Sequence, residues 1–144
     1  MTDTRSADQR RRIMQAVRTA HTKPELAVRK MLHAHGYRYR LHAKNLPGRP
    51  DIVFPSRRKA VFIHGCFWHG HGCSKGRLPK SRLEYWGPKI ERNQQRDSEN
   101  AAELRTQGWD VATIWECELR TPDLVMVRLA GFLGPPRKSI DFLS

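Results

Sequence analysis

Apolar and polar positions alternate along this chain with periods that change several times, and each change marks a predicted element. Apolar Leu26, Val28, Met31 and Leu32 recur at helical spacing after Thr22-Lys23-Pro24-Glu25. That tetrapeptide has a hydroxyl residue at the cap, proline in the first turn and glutamate three residues on, so it predicts a helix over 22–35 that stops at Gly36. From 37 to 42 the period falls to two: Tyr37, Tyr39 and Leu41 share one face of a predicted strand, and Arg38 and Arg40 the other. The string Leu46-Pro47-Gly48-Arg49-Pro50 reads as a turn into Asp51 and a short strand over 52–54. A third strand over 59–64 is almost continuously apolar, as a central strand should be. Residues 65–88 are rich in glycine and proline and have no usable period.

A long, mostly polar helix is predicted over 89–107, anchored by Ile90, Ala101 and Leu104 and ended by Gly108. A last strand over 109–115 and a closing helix from Thr121-Pro122-Asp123 to 132 complete the pattern, with a tail after Gly134-Pro135-Pro136. At the amino end, Ile13, Met14 and Val17 form one face of a short basic helix or arm. Three segments follow: an arm over 1–20, one domain over 21–134 and a tail over 135–144. Helices and strands in this order describe an α/β sandwich around a mixed sheet.

Composition narrows the class. The chain has 144 residues, 27 Lys and Arg against 14 Asp and Glu, and a formal charge of +13. That surplus needs an anionic partner, and nucleic acid comes first because each neutralised phosphate releases a counterion. No apolar run approaches the roughly 20 residues that span a bilayer, and the amino end has no apolar signal core. A soluble cytoplasmic protein is therefore expected. Three cysteines cannot close a disulfide framework and suit a reducing compartment or a metal site.

The strongest local chemistry is Cys66, His71 and Cys73 in a glycine-rich loop, with Cys117 beyond the last strand. Three thiolates and one imidazole complete a closed tetrahedral zinc site of the structural kind. Buried free cysteines are the plainer alternative. Between those ligands stand Phe67, Trp68 and His69, with Trp86 further on. Exposed aromatics on a basic protein stack on bases or wedge between them; packing against the loop is the other reading. Asp51 and His64 lie at the ends of neighbouring strands, and Glu25 is within reach. Together they could hold magnesium and a water near a phosphate while a histidine takes the proton. Singly, Asp51 is a turn residue and Glu25 the reciprocal half of a capping box.

Taken in order, Thr22-Lys23-Pro24-Glu25-Leu26, Leu46-Pro47-Gly48-Arg49-Pro50-Asp51, His64-Gly65-Cys66-Phe67-Trp68-His69, His71 with Cys73, Lys89-Ile90 with Asn93 and Arg96-Asp97, and Trp115-Glu116-Cys117 resemble the very short patch repair (Vsr) endonucleases. The resemblance covers about residues 5 to 120. It implies a restriction-endonuclease-like three-layer sandwich and a magnesium-dependent nick on the 5′ side of the mismatched T in T:G pairs, which arise when 5-methylcytosine deaminates. It implies magnesium on Asp51 and the main-chain carbonyl of Ile63, His69 as general base, and Glu25 and His64 around the metal water and phosphate. Zinc would sit on Cys66, His71, Cys73 and Cys117. Phe67, Trp68 and Trp86 would form a wedge from the major groove, Met14 would approach from the minor groove, and Lys89 and Asn93 would read the mispaired bases. The implied partner is mismatched double-stranded DNA in the bacterial nucleoid. Mismatch-repair machinery, a repair polymerase and ligase, and a methyltransferase acting at the same site are further implied, and a monomer suits a one-strand cut. In place of the acidic-x-Lys triplet of many such nucleases the chain has Phe62-Ile63-His64, a departure the Vsr endonucleases share. A broader mismatch nickase and a non-cleaving, zinc-stabilised DNA-binding module are the competing readings.

Overall fold

The structure, a computed structural model, describes residues 22–73 and 83–136. Helix α1 (Lys23–Ala34) leads into strands β1 (Arg40–Leu41), β2 (Ile52–Phe54) and β3 (Lys59–His64), with a 3-10 turn at Pro55–Arg57 between the last two. Helix α2 (Leu83–Thr106), strand β4 (Asp110–Trp115), a second 3-10 turn (Glu116–Arg120) and helix α3 (Pro122–Leu133) follow. The four strands lie in sequence order; β1, β2 and β3 pair antiparallel, and β3 pairs with β4 in parallel, so the sheet is mixed. The expected arm over 1–20, with Met14, and the tail from 137 fall outside the described residues.

Strand alternation sorts the core into two layers. Ile52, Phe54, Val61 and Ile114 face Val28 and Leu32 of α1 and Val125 and Leu129 of α3. Val53, Ala60 and Phe62 point the other way, against Leu104 and Trp109. The sheet is thus covered on both faces, α1 and α3 on one and α2 on the other, as a parallel pair of strands with apolar character on both sides requires.

Both ends of α1 follow the sequence logic. The Thr22 hydroxyl accepts the Glu25 amide at 3.4 Å, and at the far end the Tyr37 amide reaches the Leu32 carbonyl across Gly36, whose φ is +90°. Only a residue without Cβ takes that left-handed position readily. Gly108 closes α2 in the same way, the Trp109 amide returning to Leu104.

Two predicted boundaries change. The strand expected over 37–42 keeps only Arg40–Leu41 in the ladder. Its tyrosines are held by other bonds, Tyr37 to the Gly134 carbonyl and Tyr39 to the Arg29 carbonyl, and both rings pack edge-on against Phe54. The long helix begins at Leu83 rather than 89 and contains Pro88. Proline at that place, in the second turn, removes the amide that would reach the Glu84 carbonyl and crowds that oxygen. This earlier start puts Tyr85 and Trp86 on helical turns.

Candidate active site

The site lies where β3 ends and the loop beyond it folds back toward α2. Asp51 precedes β2, and its Oδ2 accepts the Ile63 amide at 2.7 Å, which fixes the carboxylate beside the main chain of β3. Burial is the main force on this group and pushes its pKa up to about 6. The neighbouring charge of Glu25 adds to the rise, while the Ile63 bond and the imidazoles of His42 and His69 oppose it. Glu25 is 2% exposed. Instead of a simple capping role, its carboxylate meets His42 Nε2 at 3.0 and 2.9 Å and Arg29 at 3.3 Å. Ligand atoms of Glu25, His42 and Asp51 all lie within 4.8 Å of one another, close enough for one cation.

His64 ends β3 in register with Trp115 of β4. Its ring stacks flat on His69, with centroids 3.8 Å apart. Burial and the adjacent His69 hold the His64 pKa down to about 4, so the imidazole is neutral near pH 7. His69 Nδ1 lies 2.5 Å from Asp97 Oδ2 on α2. With the carboxylate accepting, the Nδ1 proton is held there and Nε2 is left as the basic nitrogen. These groups line a cleft of about 410 Å³ together with Gln94, His71 and Trp115.

The four predicted zinc ligands, Cys66, His71, Cys73 and Cys117, also come together within 4.8 Å. Cys117 Sγ is 3.5 Å from His71 Nδ1, and the Cys117 amide donates to Cys66 Sγ at 3.4 Å. Three sulfurs and one imidazole nitrogen are a donor set suited to a tetrahedral soft cation. Burial pushes the Cys66 thiol up to about 12, with the neighbouring thiols adding to the effect. Trp115 joins this cluster to the histidines: His71 stacks on it at 4.2 Å, while His64 and His69 meet it edge-on.

The aromatic residues gather where the same loop meets the first turns of α2. Phe67, Trp68 and Trp86 contact one another edge-to-face with centroids 5.1 to 5.5 Å apart. Tyr85 extends the group, and Lys89 lies over its ring at 4.6 Å. Asn93, expected to read bases, donates to the Trp68 carbonyl at 2.7 Å and so ties the loop to α2.

Gly70 makes that close approach possible. Its φ is +62°, and a Cβ there would stand 2.6 Å from Ile90 Cγ2 and nearer still to Gln94 Nε2. Ile90 is buried and cannot step aside. Gly70→Ala should therefore cost about 2–3 kcal/mol, from the left-handed backbone and the overlap together. A urea midpoint lowered at constant m-value would show it; an unchanged midpoint would mean that the loop swings clear of α2.

His42, Asp97, Tyr85 and Trp115 are not among the site residues that the sequence predicts. A signal for Asp97 was present: it falls on the stripe set by Ile90, Ala101 and Leu104, and a carboxylate on an apolar helix face invites a partner. His42 had no comparable signal, because only the β1–β2 pairing brings it to Asp51.

No helix among the described residues is long and apolar enough to cross a membrane. The family model described as DNA mismatch endonuclease Vsr matches residues 2–75. The Type II nicking enzyme V.XorIIP of Xanthomonas oryzae pv. oryzae is 58% identical over 135 residues, covering 94% of this chain and 99% of the relative. The Type II nicking enzyme V.NmeAIP of Neisseria meningitidis serogroup A is 44% identical over 90% of this chain and 92% of its own. The DNA mismatch endonuclease Vsr of Escherichia coli K12 is 38% identical over 83% of this chain and 77% of its own. A family match across half the chain and relatives this similar across most of it have one reading: the chain belongs to the Vsr family of DNA mismatch endonucleases.

Proposed function

We propose that this endonuclease makes a magnesium-dependent single-strand nick on the 5′ side of the mismatched T in T:G pairs of double-stranded DNA, the lesion left by deamination of 5-methylcytosine. One observation carries the reading above all: a single short stretch, 64–69, links the candidate base to the candidate wedge. Phe67 and Trp68 join Trp86 in a half-buried aromatic group, and His69 is already oriented by Asp97. A T:G wobble is less well stacked than its neighbours, so parting it costs less than parting a matched pair, and a wedge turns that difference into selectivity.

In this reading Asp51 and the Ile63 carbonyl would hold magnesium, which would offset charge on the phosphate and make a nearby water more acidic. His69 Nε2 takes the proton of the attacking water, and Asp97 steadies the resulting imidazolium through Nδ1. His64, neutral and stacked on His69, keeps that ring in plane. Glu25 orients water beside Asp51. Cys66, His71, Cys73 and Cys117 hold structural zinc, Lys89 and Asn93 approach the mispaired bases, and Met14 approaches from the minor groove. The covered mixed sheet suits a restriction-endonuclease-like architecture. A surplus of positive charge supplies sequence-independent affinity for the duplex. The setting is the bacterial cytoplasm, with a repair polymerase and ligase completing the repair.

The test is a strand-resolved cleavage assay on T:G, other mismatched and fully paired duplexes with varied flanks, with magnesium and then with chelator. A magnesium-dependent cut 5′ of the T in T:G duplexes alone is the expected result. Cuts at several mismatches would replace it with a broader nickase, and binding without any cut would remove the catalytic roles of Asp51 and His69.

A further inference from the structure

We infer that His42 is a positioning residue of the cation site, holding the Glu25 carboxylate against Asp51; this rests on Asp51 being the cation ligand of the proposed function. Glu25 and Asp51 come from different elements, α1 and the start of β2, and each is a carboxylate taken largely out of water. Left to themselves two such groups repel and turn apart. His42 is attached to both. Its main-chain amide donates to the Asp51 carbonyl at 3.1 Å, and its Nε2 meets both oxygens of Glu25 at 3.0 and 2.9 Å. One residue thereby sets the spacing between the two carboxylates, and its neighbour Ala43 repeats the main-chain tie by donating to Pro50 at 3.3 Å.

The backbone of His42 shows that this placement is held against local preference. Its φ is +47°, in the left-handed region, where a residue with a Cβ costs about 1–2 kcal/mol. Strain of this kind persists where surrounding contacts over-determine a conformation, and such places cluster at functional sites. Charge balance alone does not require His42. Arg29, one helical turn along α1 from Glu25, already supplies a permanent positive charge at 3.3 Å. What the imidazole adds is a short planar donor anchored by its own main chain to Asp51, which keeps ligand atoms of Glu25 and Asp51 within 4.8 Å of each other. Groups that orient metal ligands from behind typically change metal affinity 10–100-fold when lost.

The experiment is a titration of Mn2+ into the full-length, DNA-free protein, with free Mn2+ followed by its electron paramagnetic resonance signal. Wild type is compared with Asp51→Ala, His42→Leu, His42→Asn and His42→Gln. Glutamine can place a donor where Nε2 stands, whereas asparagine is one methylene too short. The expected result is roughly tenfold weaker binding for His42→Leu and His42→Asn, with His42→Gln restored to within about threefold of wild type. Should His42→Leu fail to fold, the Asn and Gln pair decides the same question, since both keep a polar side chain. Equal binding by wild type and His42→Asn would overturn the positioning role, as would a loss that glutamine does not rescue. Wild type binding Mn2+ no better than Asp51→Ala would overturn the Asp51 assignment itself, and the role of His42 with it.

Discussion

Asp51→Asn should abolish nicking, by about a thousandfold or more, and yet yield a more stable protein at neutral pH. The loss follows from losing the anionic ligand, because a metal-assisted step contributes several kcal/mol and each 1.36 kcal/mol is tenfold in rate. The gain follows from burial. In the folded chain Asp51 gives up its proton near pH 6 rather than near 3.8, so at pH 7 the native state carries a carboxylate that the surroundings disfavour. Asparagine keeps an oxygen to accept the Ile63 amide and has no charge to desolvate. The increase should be about 1–2 kcal/mol once solvent screening is allowed for, or about 4 °C in melting temperature. Thermal scans without added magnesium, beside nicking assays, measure both effects. A variant that is inactive and also less stable would make Asp51 a structural residue.

The pH dependence of that gain has a definite sign. Between about pH 4 and 6 the unfolded chain has lost the Asp51 proton while the folded chain retains it, so this group lowers stability as pH rises and its cost is complete above 6. His64 works in the opposite direction. Its folded pKa is near 4 against 6.5 unfolded, so the unfolded chain binds the extra proton and stability falls as pH drops through that window. In the wild type the two slopes largely offset one another. In Asp51→Asn only the histidine slope remains, and the advantage of the variant should shrink toward zero as pH approaches 4. Nicking by the wild type at subsaturating magnesium should meanwhile fall about tenfold per pH unit below about 6, since metal binding requires the carboxylate.

Where the elements begin and end was legible wherever local chemistry decides it. The continuous apolar run of β3, the Thr22 cap and the glycine stops at Gly36 and Gly108 each act over a few residues, and each stands where its residues predict. The two boundaries that moved depend on contacts distant in the chain. Tyr37 and Tyr39 leave the ladder because their hydroxyls find carbonyls on α1 and beyond α3. Helix α2 runs through Pro88 because its first turns carry Tyr85 and Trp86 into the aromatic group around Phe67. The site divides in the same manner. Within the candidate site, Asp51 and the cysteines stand out by residue type and spacing, whereas His69 as base is what the family resemblance implies. His42 becomes visible only once β1 pairs with β2.

Cys117→Ala should release zinc, lower the melting temperature by about 10 °C and disable nicking while leaving Mn2+ binding at Asp51 in place. The thiol lies in the turn after β4, and its three partners lie in the loop after β3, so the cluster is what ties that loop to the sheet end. Between residues 65 and 71 the loop's own main-chain bonds are His69 to Gly65, Gly70 to Phe67 and His71 to Cys66. Three turn bonds hold a loop weakly, and removing a structural metal ligand from such a segment takes away about 3 kcal/mol or more. The consequence reaches the chemistry through Trp115, which carries His71 on one side and meets His64 and His69 with its edge. With zinc on the cluster as proposed, its loss would leave His71 no longer pinning that ring, and the alignment of His69 with Asp97 would loosen. Burial already keeps the Cys66 thiol protonated up to about pH 12 in the absence of a cation. Reloading zinc at pH 7 should therefore release at least the Cys66 proton from wild type. A variant with its zinc retained would remove Cys117 from the site. One that loses zinc yet nicks normally would show that Asn93 and Gln94, which bond the loop to α2, are sufficient to hold His69 in place.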